Sequence, residues 1–384
     1  MPRLPGYRHA HLPARVHAIA RHLSREVLIF LLFIAASAMT LNIFMQARGL
    51  EEGQPRFGLA SMLDGSADQP FVKRQLLPRL ANFLTELVPA NERDAFVQYH
   101  LDKYHLKDAY FGRARLPNAG QETWSADYAL KYHLIYFFMF ASLLGTLYLL
   151  RALGHDLIPS DNPLAPVLPV FFALLLPLSY LHGNFLYDFS ELFFFSALLF
   201  AAFKGSYIWW LVLLPLAVLN KETAILVPLL YAPLLYSNCR SWAQRSAILG
   251  SLVLAGGVFW GIGQEYASNP GSDTQWHLFG NLAFWTQPAS YFLWADLYAP
   301  LIPVPRGFNL LLIGAFSLLV FHNWRAHPLV LRRLFWAALL INLPLFFLFT
   351  YRDEMRNLSM LFIPTYLLAT HALLLYPNPK TPSA

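Results

Sequence analysis

Long apolar runs recur along this sequence, and they constrain the fold more than any other feature. A helix needs about 20 mostly apolar residues to cross roughly 30 Å of hydrocarbon. Of all residues 57% are hydrophobic and only 13% are charged, whereas a soluble domain has roughly 25% charged residues. The sequence therefore predicts an all-α, polytopic membrane protein with about ten transmembrane helices. The predicted spans are 27–45, 132–150, 164–181, 185–203, 207–219, 224–236, 247–263, 307–322, 334–350 and 358–376.

The positions of the basic residues predict the orientation of the chain. Cytoplasmic loops of membrane proteins are rich in Lys and Arg. Such residues occur in the N-terminal arm, in the loop between the sixth and seventh spans at 240–245, and in the loop between the eighth and ninth spans at 325–333. Both termini are therefore expected in the cytoplasm, in a bacterial inner membrane. The chain divides into a basic arm (1–26), one transmembrane domain (27–376) and a tail (377–384). The same rule accounts for the net charge of +6, so no nucleic-acid partner is expected.

Two parts of this assignment have alternatives. The first run could belong to a cleaved signal peptide, with Ala36-Ser37-Ala38 as the cleavage site, but apolar residues continue past it and favour an uncleaved anchor. The fifth and sixth runs are short and could form one helix. One helix would put the basic loops on opposite sides of the membrane, so two spans are favoured. The single cysteine, Cys239, excludes an intrachain disulfide.

The orientation places five segments on the outer side, and the first of them is a long loop. In this loop Leu76, Leu80, Leu84 and Val88 recur at every fourth position, which predicts an amphipathic helix. Asn91 predicts the N-cap of a second short helix. We expect both helices to lie on the outer membrane surface. The five outer segments are 46–131, 182–184, 220–223, 264–306 and 351–357.

Four charged residues lie in or between apolar spans, where an ionisable group is costly and needs a partner. Asp188 and Glu191 begin the fourth span, and Lys221 and Glu222 lie in the turn between the fifth and sixth. We predict that Lys221 approaches Asp188 and Glu191 near the outer face. The group could be an internal salt bridge that ties helices together, or it could bind a polar substrate, and the two interpretations are compatible.

The first outer loop also places acidic residues before a basic pair. Asp64 and Asp68 precede Lys73 and Arg74, which lead into the predicted amphipathic helix. The two cations at a helix N-terminus could hold a lipid phosphate, and Asp64 or Asp68 could act as a general base or a metal ligand. Alternatively, the cations only anchor a surface helix by snorkelling.

A short charged turn, Tyr351 to Arg356, connects the ninth and tenth spans. Arg352 or Arg356 could fork onto phosphate oxygens, a geometry that suits arginine. The alternative is a solvated turn. Glu354 lies between the two arginines and is counted with them as a candidate for substrate binding.

This layout resembles the GT-C class of polytopic glycosyltransferases, which take sugars from polyprenyl-phosphate carriers. In that class a long outer loop after the first span carries a catalytic acidic residue and surface helices, and basic residues hold the donor phosphate. The turn between the fifth and sixth spans is similar to one in uncharacterised bacterial membrane proteins related to this class. The matching residues are Asp64, Lys73-Arg74-Gln75-Leu76-Leu77-Pro78, Tyr187-Asp188, Asn220-Lys221-Glu222-Thr223, Glu354 and Arg356.

The resemblance implies a membrane glycosyltransferase that moves a sugar from a lipid-phosphate carrier to an acceptor on the outer face. Its expected partners are membrane lipid and the lipid-linked sugar donor, and its need for a divalent cation stays open. An alternative function is that of a transporter or lipid flippase, with Asp188, Glu191 and Lys221 as the substrate or coupling site. A third is a non-catalytic membrane partner in envelope assembly.

Overall fold

The computed structural model describes residues 12–50, 54–104, 125–180, 185–234, 242–296 and 303–375. These residues are mostly helical, which confirms the predicted all-α fold. The helices are α1 (Leu12–Arg48), α2 (Leu59–Asp64), α3 (Leu76–Glu86), α4 (Ala90–Tyr104), α5 (Ala126–Leu157), α6 (Pro169–Ser179), α7 (Asp188–Lys204), α8 (Tyr207–Asn220), α9 (Val227–Leu230), α10 (Trp242–Glu265), α11 (Leu278–Trp285), α12 (Leu310–Phe321), α13 (Leu329–Phe349) and α14 (Ser359–Leu375).

Short elements connect these helices. An antiparallel pair of strands, β1 (Trp294–Asp296) and β2 (Pro303–Pro305), places Ala295 opposite Val304. The 3₁₀ turns are Phe71–Lys73, Ala165–Val167, Glu222–Leu226, Pro288–Tyr291, Trp324–Ala326 and Met355–Leu358.

Within the described residues, five helical segments are long and apolar enough to cross a membrane: His22–Met45, Ala126–Leu157, Ile248–Glu265, Leu329–Phe349 and Met355–Leu375. The other five predicted spans also coincide with helical segments, but none of these segments exceeds 17 residues. Helix breakers account for part of this shortness. Pro177 lies near the end of α6, and Gly205, with φ of 66°, ends α7 in the left-handed conformation that glycine tolerates.

Helix α7 is the central element of the fold. Its first two turns and most of its remaining length are buried, and it packs against α5, α8 and α14. Such a helix is surrounded by protein and so is apolar on nearly all sides. Because Asp188 and Glu191 lie in its first turn, these two carboxylates are placed inside the helical bundle.

The predicted amphipathic helix of the first loop exists as α3. Its buried residues include Leu77, Ala81 and Thr85, and this face packs against α5. Leu80 of the predicted stripe is exposed and Leu84 is only partly buried. The second helix, α4, begins at Ala90, so Asn91 lies inside it and does not cap it.

The segments predicted to share the outer side contact one another. The side-chain amide of Gln69 donates to the carbonyl oxygens of Tyr266 at 3.0 Å and Asn269 at 3.1 Å, which joins the first loop to segment 264–306. The amide of Asn281 donates to the carbonyl of Thr350 at 2.6 Å, which joins that segment to the turn before α14. These loops therefore form one connected layer at one end of the bundle.

Candidate functional site

Charged side chains from four separate parts of the chain meet where α7 begins. They come from the 3₁₀ turn before α3, the start of α7, the break between α8 and α9, and the turn before α14. We call this group the ion cluster. Its members are Arg74, Tyr187, Asp188, Glu191, Lys221, Glu222, Glu354 and Arg356.

Lys221 pairs with both carboxylates of α7. Its Nζ lies 2.7 Å from Oε2 of Glu191 and 3.9 Å from Oδ1 of Asp188, and the side chain is 2% exposed. The other oxygen of Glu191 accepts the hydroxyl of Thr223 at 2.8 Å. The backbone makes this possible because α8 ends at Asn220 and Lys221 is extended. The predicted approach of Lys221 to Asp188 and Glu191 is confirmed.

Asp188 is shared between two cations and the backbone. One of its oxygens accepts the N–H of Phe185 at 3.1 Å, and the other lies 3.4 Å from Nη1 of Arg356. Asp188 is the first residue of α7, and the helix dipole favours a negative charge at that position. Asp188 therefore connects α7 to the turn before α14 as well as to Lys221.

Arg74 has all of its strong interactions inside the cluster. Its guanidinium forks onto both oxygens of Glu222 and donates to the Tyr187 hydroxyl. It also lies between two rings, 5.1 Å from the centre of Phe71 and 4.3 Å from that of Tyr187. Burial lowers the pKa of Arg74, but Glu222 and Tyr187 outweigh it, so the pKa is above its ordinary value. Arg74 is a fixed, charged part of the scaffold.

The hydrogen bonds of Arg356 to carboxylates are longer than those of Arg74, and Arg356 also interacts with Tyr187. Its two terminal nitrogens lie 3.4 Å from Asp188 and 3.3 Å from Glu354, and its Nε has no hydrogen-bond partner within the described part of the chain. Its guanidinium lies over the Phe185 ring at 4.4 Å. Long hydrogen bonds are weak, and a buried donor without a partner is unusual. Of the three cluster cations, Arg356 is therefore the one best able to receive another acceptor.

Tyr180 brings a second orphaned group to this region. Its side chain is buried, and its hydroxyl has no hydrogen-bond partner among the residues that the structure describes. It interacts electrostatically with Asp188, Glu191 and Arg356. The position of Tyr180 beside the ion cluster was not predicted, because a tyrosine at the end of an apolar span is common at membrane interfaces.

Lys73 does not join Arg74 in a cation pair. It is 6% exposed and pairs with Asp273, and its Nζ lies 5.4 Å from the centre of the Phe259 ring on α10. Adjacent residues of a 3₁₀ turn point about 120° apart, since three residues complete the turn. Both cations are thus buried inside the protein, and each has a carboxylate partner.

The two acidic residues proposed as catalysts lie apart from the ion cluster. Asp64 is exposed at the end of α2, and its Oδ1 accepts the N–H of Ser66 at 2.9 Å. Asp68 pairs with Arg56 at 2.8 Å. Across the described ranges, no ion pair joins either carboxylate to Lys73, to Arg74 or to the cluster.

Arg352 also lies outside the cluster. It is exposed, and its guanidinium is 4.9 Å from the ring centre of its neighbour Tyr351. Its backbone N–H donates to the side chain of Asn281 at 2.8 Å. Among the described residues, no group of three or more His, Cys, Asp or Glu side chains lies close enough together to bind a divalent cation.

An apolar groove leads along the bundle to the ion cluster. It has a volume of about 300 Å³ and is lined by α6, α12 and α14. One end lies at Ser179, Gly307 and Met355, and the other at Leu168 and Leu373. From residue 355 to residue 373 a helix rises by about 27 Å, which is close to the thickness of the hydrocarbon layer.

The groove and the ion cluster share one turn of the chain. Met355 lines the groove, and Glu354 and Arg356 on either side of it belong to the cluster. Asp353 touches Gly307, where an added Cβ would lie 2.7 Å from the carboxylate.

No protein-family model, curated protein or solved structure matches the chain. The residues of the cluster and the groove are therefore the basis for assigning a function.

Proposed function

We propose that the protein transfers a glycosyl unit from a lipid-phosphate carrier to an acceptor at the outer face of a bacterial inner membrane. In this proposal the chain crosses the membrane ten times with both termini in the cytoplasm. The single observation that supports it best is the apolar groove that ends at the charged turn containing Glu354, Met355 and Arg356. A lipid phosphate has the same two parts, a long apolar chain and a charged head.

Arg356 is the cation that we assign to the donor phosphate. Its present bonds to Asp188 and Glu354 are long, and its Nε donor is unused within the described residues. Charge-assisted hydrogen bonds between arginine and phosphate are short and strong. A phosphate on Arg356 would compete with the Glu354 carboxylate and free it. Lys221, which is held between Glu191 and Asp188, supplies positive charge from within the bundle.

The chemistry then needs one base and one stabilised leaving group. Glu354 removes the proton from the acceptor hydroxyl, whose oxygen attacks the anomeric carbon of the donor. The bond from that carbon to the phosphate oxygen breaks, and the phosphate leaves with the electron pair while Arg356 stabilises its charge. Glu354 suits this role because its side chain is 23% exposed and its neighbour Met355 lines the groove. Asp64 and Asp68, the bases suggested by the sequence, have no contact with this arrangement in the described structure.

Binding of a polyprenyl phosphate tests the groove. Ala369 lines it on α14, and Ala369→Phe should fill part of the volume and weaken binding at least about tenfold, a change of about 1.4 kcal/mol. Ala315→Phe on α12 is the matched control, because that position is exposed and is not part of the groove lining. Equal affinities of the two variants would reject the groove as the chain site.

Turnover tests the assignment of the base. Glu354→Gln should lower kcat without weakening donor binding, as expected for a lost base that also competes with the phosphate for Arg356, and Asp64→Asn should leave kcat near the native value. The opposite pattern would return the catalytic role to Asp64. Full activity of both variants would leave the transferase without an identified base.

The length of the groove favours a second candidate, lipid translocation. A groove of about 27 Å along α14 nearly matches the hydrocarbon layer, so a lipid chain could pass along it. The ion cluster, however, adjoins only one end of the groove. Reconstituted liposomes with a labelled polyprenyl phosphate distinguish the two: a translocator redistributes the label between leaflets, and a transferase does not.

A further inference from the structure

The segment from Thr274 to Ala295 differs in composition from the other loops at the same end of the bundle. It contains no Asp, Glu, Lys or Arg, and seven of its 22 residues are Phe, Trp or Tyr. Its one helix, α11, has eight residues and is far too short to cross a bilayer. We call this stretch the aromatic segment. Its composition is that of the aromatic belts found at membrane–water interfaces.

The inner side of the aromatic segment is fixed to the end of α13. The side-chain amide of Asn281 donates to the carbonyl oxygens of Phe347 at 3.1 Å and Thr350 at 2.6 Å. The backbone N–H of His277 donates to the carbonyl of Leu348 at 2.9 Å. The last carbonyls of a helix have no partner within it, so these bonds cap α13. Because α13 is one of the five helices able to span a membrane, the cap sets α11 at the depth where α13 ends.

The outer side of the aromatic segment is apolar and exposed. The exposed large side chains are Trp276, Phe279, Leu282, Phe292 and Trp294, and Phe279 is 77% exposed. Asn281 is the only buried residue of α11. Exposed apolar surface of this extent marks a contact with a partner or a membrane.

The neighbouring surface identifies that partner. The apolar surface continues onto the first turn of α12, where Leu310 and Leu311 are 50% and 64% exposed, and a shallow cavity of about 350 Å³ joins Phe292 to Leu310. By contrast, α4 presents exposed Glu92 and Asp94 at the same end of the bundle. The exposed Arg352 lies at the rim of the patch, with its guanidinium 5.9 Å from the centre of the Phe284 ring. Trp and Tyr side chains are typical of the headgroup layer. The patch also adjoins the end of α13, a helix long enough to span a membrane, which favours the bilayer as the partner.

We propose that the aromatic segment is an interfacial membrane element, immersed in the lipid headgroup layer with Phe279 and Phe292 directed into the upper acyl chains. The partner is the bilayer itself, and this holds whether or not the protein is a transferase. The segment also fixes the depth of the loops that it contacts. Leu293 accepts hydrogen bonds from the backbone N–H of Arg306 and the side chain of Asn309, and Gly307 between them forms the polar end of the groove.

Site-directed spin labelling in lipid nanodiscs tests this proposal. A Cys239→Ser background leaves no other cysteine, and single labels are then introduced by Phe279→Cys and, independently, Phe292→Cys. Glu92→Cys provides a water reference, since Glu92 is exposed on α4. Leu340→Cys provides a lipid reference, since Leu340 is 71% exposed in the middle of α13. Each label is measured for collision with oxygen, which enriches in lipid, and with a water-soluble nickel chelate.

The expected result is an oxygen-to-nickel collision ratio at positions 279 and 292 that lies between the two references and closer to that of Leu340. Ratios equal to that of Glu92 would overturn the proposal, because the segment would then lie in water. Protection from both reagents would also overturn it and would show that protein covers the patch.

Discussion

Lys221→Met removes the cation at the centre of the ion cluster while keeping an unbranched side chain of similar length. Lys221 is 2% exposed and lies between the carboxylates of Glu191 and Asp188. After the substitution, the Glu191 side chain keeps only the hydroxyl of Thr223 among the described residues, whereas Asp188 keeps Arg356 and a backbone N–H. The variant therefore leaves a buried negative charge without its main partner.

The expected loss of stability follows from the distances. Two unit charges 2.7 Å apart, as in Lys221 and Glu191, attract by about 6 kcal/mol at an effective dielectric constant of about 20. Burying the ammonium costs several kcal/mol and offsets part of this attraction, and breaking a buried pair typically costs about 3–5 kcal/mol. Adding Glu191→Gln removes the stranded charge. The double variant should therefore recover about 1–3 kcal/mol relative to Lys221→Met alone.

Reversible unfolding in mixed detergent micelles measures these free energies. Lys131→Met is the matched control, because Lys131 forms an i,i+4 ion pair with Asp127 that is partly exposed to solvent, and such pairs contribute about 0.3–0.5 kcal/mol. The reasoning is refuted if Lys221→Met costs no more than Lys131→Met. It is also refuted if the loss of unfolding free energy in the double variant equals the sum of the losses in Lys221→Met and Glu191→Gln alone.

Two further predictions concern packing and pH. Gly145→Ala should lower the free energy of unfolding by about 1–3 kcal/mol, because its Cβ would lie 2.8 Å from the Phe193 ring of α7. In the control Gly154→Ala, on the same helix, the Cβ meets open space, so that variant should be neutral or stabilised by up to about 1 kcal/mol. The same unfolding assay compares the two variants. Burial lowers the pKa of His327 below its ordinary 6.5, so the unfolded chain binds more protons and stability should fall as the pH drops below 6.5. The loss of melting temperature on acidification should be smaller in His327→Gln, and equal losses would contradict this.

Some of the site could be predicted from the sequence for a simple electrostatic reason. Asp188, Glu191 and Lys221 are ionisable groups in or between apolar runs, where the cost of an unpaired charge forces them together. The all-α fold follows in the same way from apolar runs, because only helices and closed barrels satisfy the backbone in lipid. Both inferences need only local composition and the properties of the solvent.

Other parts of the site depend on contacts between distant segments. Arg74 meets Glu222 across 148 positions of sequence, and Lys73 meets Asp273 across 200. The first loop suggested that Lys73 and Arg74 hold a lipid phosphate while Asp64 or Asp68 acts as a base or metal ligand. The carboxylates that pair with the two cations come from other loops, which no local spacing reveals.

The groove and the cap of α13 were also beyond the sequence. The groove exists because α6, α12 and α14 leave space between apolar faces, and such a space has no signature in a run of hydrophobic residues. Asn281 gave no signal either, since one asparagine in a loop is ordinary. Its importance comes from the carbonyls of Phe347 and Thr350 that it binds.

A structure of the protein in a lipid nanodisc with a bound polyprenyl phosphate tests the central claim most directly. We expect the apolar chain to lie along the groove between α6, α12 and α14, with phosphate oxygens within hydrogen-bond distance of Arg356 and with the Glu354 carboxylate released from that arginine. A phosphate bound away from Arg356, with the groove left without a lipid chain, would contradict the proposed donor site.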